Sequence, residues 1–196
     1  VTSATRAFSQ AGEVARRTNF YIGFRGEIYK DNEGKGILSI KVQPDNQKYY
    51  LAEIVGNSKG RITYEETSNA GTITKKEFTP QFTLQYARIF PFFGKETVFR
   101  AGLKESEGGI GFDLIWNEKI MLFSDFWDFG RKENNKKLKP NLQVGLQYNV
   151  KGPLYIRVGG DDLLNEKLRG GMAGVGVLFT DNDLKYILGT LRLPLP

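Results

Sequence analysis

Residues Gly108 to Gly130 read GGIGFDLIWNEKIMLFSDFWDFG. Ile110, Phe112, Leu114 and Trp116 alternate with Gly109, Gly111, Asp113 and Ile115. After Asn117-Glu118 the alternation resumes with Ile120, Leu122, Ser124 and Phe126 on one side. Period-2 alternation on both sides of a two-residue turn is the pattern of a β-hairpin. The pattern recurs along nearly the whole chain, so its strands must close or stack to protect their edges. The expected fold is all-β: an up-and-down antiparallel β-barrel of about ten strands, preceded by a short N-terminal helix.

Composition narrows the chemistry. The chain has 196 residues, no Cys and no His, with 23 Gly and a formal charge of +6. A barrel of this size is one ordinary domain. The lack of His removes Ser-His-Asp triads, a His general base and His-containing metal sites. The lack of Cys removes disulfide and thiol chemistry without fixing the compartment. A non-enzymatic protein with neither cofactor nor metal is expected. The dense basic run, Arg131 to Lys139, contains no aromatic ring; it reads as a solvated loop rather than a nucleic-acid surface. No apolar run is long enough for a transmembrane helix. The chain begins on Val without a signal peptide, which reads as a mature chain or part of a longer one.

Two regions divide the sequence. In 1–18, Val1, Ala4, Phe8, Ala11 and Ala15 fall at helical spacing, the end of a helix or linker. From 19 to 196 the chain reads as the barrel domain, with strands near 19–30, 36–43, 48–66, 72–90, 96–104, 109–116, 119–129, 141–150, 153–160 and 171–180. A break near Gly56–Gly60 would raise the count to 12 strands, and Pro80 would mark a bulge. Asp183–Gly189 reads as a short helix or a last strand. The connections at Gln43–Gln47, Pro91–Lys95, Asn117-Glu118 and Lys151-Gly152 are short, and several of the alternate ones are long. Short turns at one end and long loops at the other are the asymmetry of outer-membrane barrels.

One strand face is apolar. It carries Phe20, Ile22, Phe24, Phe82, Leu84, Phe112, Leu114, Trp116, Leu142, Val144 and Ile156, the candidate lipid contacts. The other carries Arg25, Glu27, Lys41, Arg100, Asp113 and Arg157 among glycines and small polar residues. Alternation leaves two architectures open. A soluble barrel would turn the apolar face inward to hold a lipid, as lipocalins do. A membrane barrel would turn it outward. Rings near strand ends favour the membrane, with Phe92, Phe93, Trp127 and Phe129 as interface aromatics. Against it, the chain ends Leu-Pro-Leu-Pro without a terminal aromatic. The polar set reads as a conduit or as an ionic plug. Asp161-Asp162 and Asp181–Asp183 match no calcium loop and read as solvated turns or caps.

Four separated motifs carry a family resemblance. Gly109–Asp113, Asp125–Arg131, Gly159–Asn165 and Phe179–Gly189 resemble the C-terminal region of bacterial MCE (mammalian cell entry, MlaD-type) proteins, over roughly residues 1–190. The resemblance implies a lipid transport system in the cell envelope of a double-membraned bacterium. Its members are anchored in the inner membrane, form homo-oligomers and work with an ABC transporter, here through an N-terminal part outside this sequence. It implies a barrel docking at or in the outer membrane, or lying in the periplasm, with phospholipid as partner and no nucleic acid. A soluble periplasmic lipid-binding barrel and a small porin-like barrel are the alternatives.

Overall fold

A computed structural model describes residues 18–58, 61–68, 71–77, 80–133 and 136–180. Ten strands run in chain order: β1 (Asn19–Tyr29), β2 (Gly34–Asp45), β3 (Lys48–Asn57), β4 (Gln81–Phe92), β5 (Lys95–Lys104), β6 (Glu107–Ile115), β7 (Ile120–Trp127), β8 (Asn141–Lys151), β9 (Leu154–Asp161) and β10 (Gly170–Thr180). Each pairs antiparallel with the next, and β10 pairs back onto β1, with Phe24 opposite Val177. The barrel is therefore closed and has no free edge.

Two expectations need correction. The long hairpin expected from strands 48–66 and 72–90 is absent. The chain does break at the end of β3, and β3 pairs directly with β4, Tyr50 opposite Tyr86. The segment between them forms its own two-stranded hairpin, Arg61–Ser68 with Gly71–Glu77. Pro80 lies outside the strands, just before Gln81, where its missing N–H removes no ladder bond. The barrel thus keeps ten strands, and the extra pair is an insertion. The N-terminal helix is not supported: residues 1–17 lie outside the described residues, and those described hold no α-helix, only a 3-10 turn at Lys30–Asn32. The expected element at 183–189 also lies outside them.

The two ends differ as the connection lengths suggest. At one end the turns are short, and Phe93-Gly94 has φ of 49° and 70°, the left-handed pair that matches hairpin twist. At the other end β3 is joined to β4, β7 to β8 and β9 to β10 by the longer connections. A short pair, Lys132–Glu133 with Lys136–Lys137, sits within the second of these. That end also has one tight turn, Glu105-Ser106, at φ of 50° and 67°. Lys35 Nζ binds the Glu105 carboxylate at 2.7 Å, and Phe82 N–H donates to Ser106 Oγ at 3.0 Å. These contacts hold two non-glycine residues in a conformation they rarely adopt.

Candidate functional site

Register decides which face is inside. On β4, Thr83, Gln85 and Ala87 are buried while Phe82, Leu84 and Tyr86 are exposed. On β6, Gly109, Gly111 and Asp113 point in while Ile110 and Phe112 point out. On β9, Tyr155 and Arg157 are inside while Leu154, Ile156 and Val158 are outside. Among the described residues 26 large hydrophobic side chains are exposed, whereas Glu27, Lys35, Gln85, Arg100, Asp113, Asp125, Gln143 and Arg157 are buried. The barrel is polar inside and apolar outside, the reverse of a soluble domain.

The lumen has three levels. Toward the short turns, Tyr49, Ala87 and Val98 pack with Leu51, Ile89 and Ile115 into an apolar layer. Above it lies an ionic knot. The Arg100 guanidinium donates to both oxygens of Asp113, at 2.8 Å each. It also donates to Asp125 at 2.8 Å and to Gln85 Oε1 at 3.0 Å. Lys104 Nζ takes the other Asp125 oxygen at 2.9 Å. Across the lumen, Arg25 meets Glu27 at 2.7 Å and Glu53 at 3.6 Å. The Arg157 guanidinium lies 3.8 Å over the Phe123 ring. These partners offset a desolvation that unpaired charges would not survive.

Glycines make room for the large side chains. A Cβ on Gly111 would sit 2.6 Å from the Arg100 guanidinium carbon, and one on Gly145 would sit 2.5 Å from the Phe123 ring. Gly176 is likewise covered by the Tyr155 ring. In a narrow lumen a long side chain lies flat only where the facing wall lacks a side chain.

At the long-loop end a vestibule of about 260 Å3 is lined by Glu33, Glu105, Glu107, Asp128, Asp161 and Asp162 against Lys30, Lys35 and Arg131. Within it Asp161 Oδ1 accepts from Gln143 Nε2 at 3.2 Å. Asp162, read from sequence as a solvated turn residue, is instead buried at 3% exposure. It accepts from Arg131 Nη1 and Asn165 Nδ2, both at 2.6 Å. Arg131, read as part of a solvated run, is thereby tied into the loop cluster.

The polar candidates Arg25, Glu27, Lys41, Arg100, Asp113 and Arg157 all line the lumen. The apolar candidates Phe20, Phe24, Phe82, Leu84, Phe112, Trp116, Val144 and Ile156 are exposed on the outer wall, with Ile22, Leu114 and Leu142 half-buried there. Phe92 and Phe93 stack edge to face at the short-turn end, ring centroids 4.5 Å apart. Phe129 stacks on Phe126 at the other end, at 5.0 Å. Trp127 is the exception. It is 4% exposed and points inward, with Lys104 Nζ 4.6 Å from its ring, so it is no interface anchor. The reason is phase: Phe123, Asp125 and Trp127 share the inner face of β7. Sequence reasoning also missed Asp125, Lys104, Lys35 and Glu105 as network members. The phase of β7 would have found Asp125; the Lys35–Glu105 pair, 70 residues apart, leaves no sequence signal.

Comparison with known proteins revises the family. A protein of Aquifex aeolicus (strain VF5), described as uncharacterized, is 50% identical over 197 residues, across the whole of this chain and 61% of its own length. The chain thus spans about three fifths of that relative. Among solved structures, a chain from "De novo design of transmembrane beta-barrels" has a TM-score of 0.36 and 12% identity over 82% of this chain and 95% of its own. That likeness is too weak to assign fold or function. The model of a lipocalin-like domain matches residues 20–186. That span contains nearly all of the motifs that resemble MCE proteins, so the MCE assignment is incorrect. The three of those motifs within the described residues combine Gly or aromatic positions on barrel strands with acidic loop turns, a pattern that barrel geometry favours in unrelated chains. On the match over 20–186, the chain belongs to the lipocalin-like domain family.

Proposed function

We propose that this domain spans the outer membrane of a double-membraned bacterium as a plugged β-barrel that contacts lipid through its outer wall and performs no bond chemistry. The observation that carries this reading is the polarity of the two faces. Phe24, Leu38, Ile54, Phe82, Leu84, Phe112, Ile156 and Val175 are 37–60% exposed on the wall, while the lumen holds the Arg100–Asp113–Asp125 knot. A soluble protein rarely exposes a contiguous apolar surface of this extent. An acyl chain does not enter a lumen lined by paired charges, so a lipid bound by this barrel lies outside it. The strands, of 8–12 residues, have the reach of membrane strands. Tyr50, Tyr86, Trp116, Phe92 and Phe93 gather toward one rim and Phe126 and Phe129 at the other, as interfacial rings do. The knot and the apolar layer beneath it leave a cavity of about 190 Å3 in the bore, not the open channel of a porin.

Detergent dependence tests the reading. The purified chain is expected to need detergent or lipid to stay monodisperse, and to carry phospholipid detectable by mass spectrometry. A monodisperse monomer in plain buffer would overturn it. A graded test uses Leu84, 60% exposed on the wall. Leu84→Arg is expected to lower stability in a bilayer by about 2–4 kcal/mol if the residue lies near the midplane.

A further inference from the structure

On the outer wall, β3 and β4 carry a column of cross-strand pairs that changes character toward the short-turn end. Ala52 stands opposite Leu84, Tyr50 opposite Tyr86, and Lys48 opposite Arg88. Residues two apart on a strand share a face. The inner face here is Tyr49, Gln85 and Ala87, all buried, so the three pairs lie outside. The Tyr50 and Tyr86 rings stack with centroids 5.6 Å apart. The apolar part of the column continues to Ile54, 47% exposed. From Ile54 to Lys48 the strand covers roughly 20 Å, which at the usual barrel tilt is about 15 Å of depth. Within that depth the wall passes from aliphatic to phenolic to cationic, the order in which a phospholipid presents acyl chain, glycerol ester and phosphate.

The cationic pair needs an anion that the chain does not fully supply. Like charges directly opposite on neighbouring strands destabilise the ladder. Lys48 Nζ lies 3.5 Å from Asp45 Oδ2, and the other oxygen of that carboxylate accepts from the Gln47 N–H at 2.8 Å. Asp45 therefore offsets one of the two charges. Arg88, exposed on the wall, forms no ion pair among the described residues. Its neighbours on the wall are Lys48 across one ladder, Phe99 across the other, and Tyr86 and Phe90 along its own strand. A guanidinium set among rings beside a second cation matches an external oxyanion, and its paired N–H donors suit phosphate.

We propose that this column is a binding site for one phospholipid with a net-anionic headgroup. Arg88 and Lys48 hold the phosphate, the Tyr50–Tyr86 pair lies at the level of the esters, and an acyl chain runs along Ala52, Leu84 and Ile54. The proposal rests on the reading of the outer wall as a lipid-facing surface and names the lipid class for one place on it. A zwitterionic headgroup brings an ammonium that the two cations repel, so a net-anionic headgroup is preferred.

The test is a titration of the purified, delipidated full chain in non-ionic detergent with phosphatidylglycerol, and with phosphatidylcholine of the same acyl chains. Native mass spectrometry counts retained lipid, and the thermal unfolding midpoint is read alongside, since a ligand bound only by the folded state raises it. One saturable phosphatidylglycerol is expected, bound about tenfold or more tighter than phosphatidylcholine. Arg88→Gln is expected to weaken it about tenfold, and Lys48→Gln to shift it in the same direction. Lys151→Gln, at an exposed lysine of another short turn, is expected to leave it unchanged. Without lipid, the midpoint of Arg88→Gln should equal or exceed that of the unaltered chain, because the like-charge pair is gone; weaker lipid binding is then not a folding defect. Equal affinity for the two lipids, or unaltered phosphatidylglycerol binding by Arg88→Gln, overturns the proposal. Displacement of the lipid by an equal concentration of inorganic phosphate also overturns it, because the site then takes a free ion. A chain that needs detergent yet retains no phosphatidylglycerol overturns this site alone, whereas a chain monodisperse in plain buffer overturns the reading of the wall as well.

Discussion

Removing Arg100 should cost this barrel more than removing any other single lumenal residue. Its guanidinium, 7% exposed, makes four hydrogen bonds: two to Asp113 and one to Asp125, all at 2.8 Å, and one to Gln85 at 3.0 Å. In Arg100→Ala, Asp125 keeps Lys104 at 2.9 Å, but Asp113, 5% exposed, loses the only ion-pair partner it has among the described residues. A buried carboxylate left without its cation typically costs about 3–5 kcal/mol, and the vacated space adds to that. The assay is urea unfolding in detergent at neutral pH, compared for Arg100→Ala, Asp113→Asn and the double variant. The double variant should be more stable than Arg100→Ala, because the stranded charge is gone. A loss under about 1 kcal/mol for Arg100→Ala, the scale of a surface pair, would refute the view that the knot holds the lumen together. So would a double variant that is no more stable than Arg100→Ala.

Gly111→Val should displace the Arg100 guanidinium, which lies 2.6 Å from a Cβ there. Gly36→Ala, where a Cβ meets nothing within 4 Å, should fold with near-native stability, as melting of the two variants would show. Phe93→Ser, at a residue 90% exposed at the short-turn end, should lower the stability of the barrel inserted in a bilayer while its unfolding in detergent stays unchanged.

Much of the fold is legible in the sequence because alternation is local. The Gly108–Gly130 stretch shows two strands and a tight turn, and both form, with Leu114 opposite Leu122. The lumenal set Arg25, Glu27, Lys41, Arg100, Asp113 and Arg157 falls on one face for the same reason. The failures share a different cause. The ring chemistry of Trp127 at a strand end points to an interface, while its phase on β7 puts it beside Asp125 inside. The 61–77 hairpin reads as strand either way, and only long-range pairing of β3 with β4 excludes it from the barrel. The motif resemblance to MCE proteins misleads because barrel strands repeat the same Gly-aromatic alternation whatever their ancestry.

By itself the sequence determined that the chain is β, that it alternates polar and apolar along almost every strand, and that His and Cys chemistry is absent. It did not determine which face is inside, because period-2 alternation is symmetric under turning the sheet over. Tertiary closure broke that symmetry. With β10 paired to β1, the face bearing Arg100, Asp113 and Asp125 is enclosed, and the Ile110, Phe112 face of the opening stretch is left on the outer wall. The physical reason lies in the enclosed volume. Inward glycines at 111, 145 and 176 leave space for long paired side chains within a ten-stranded bore. The bulky apolar residues that alternate with them fit only the outside.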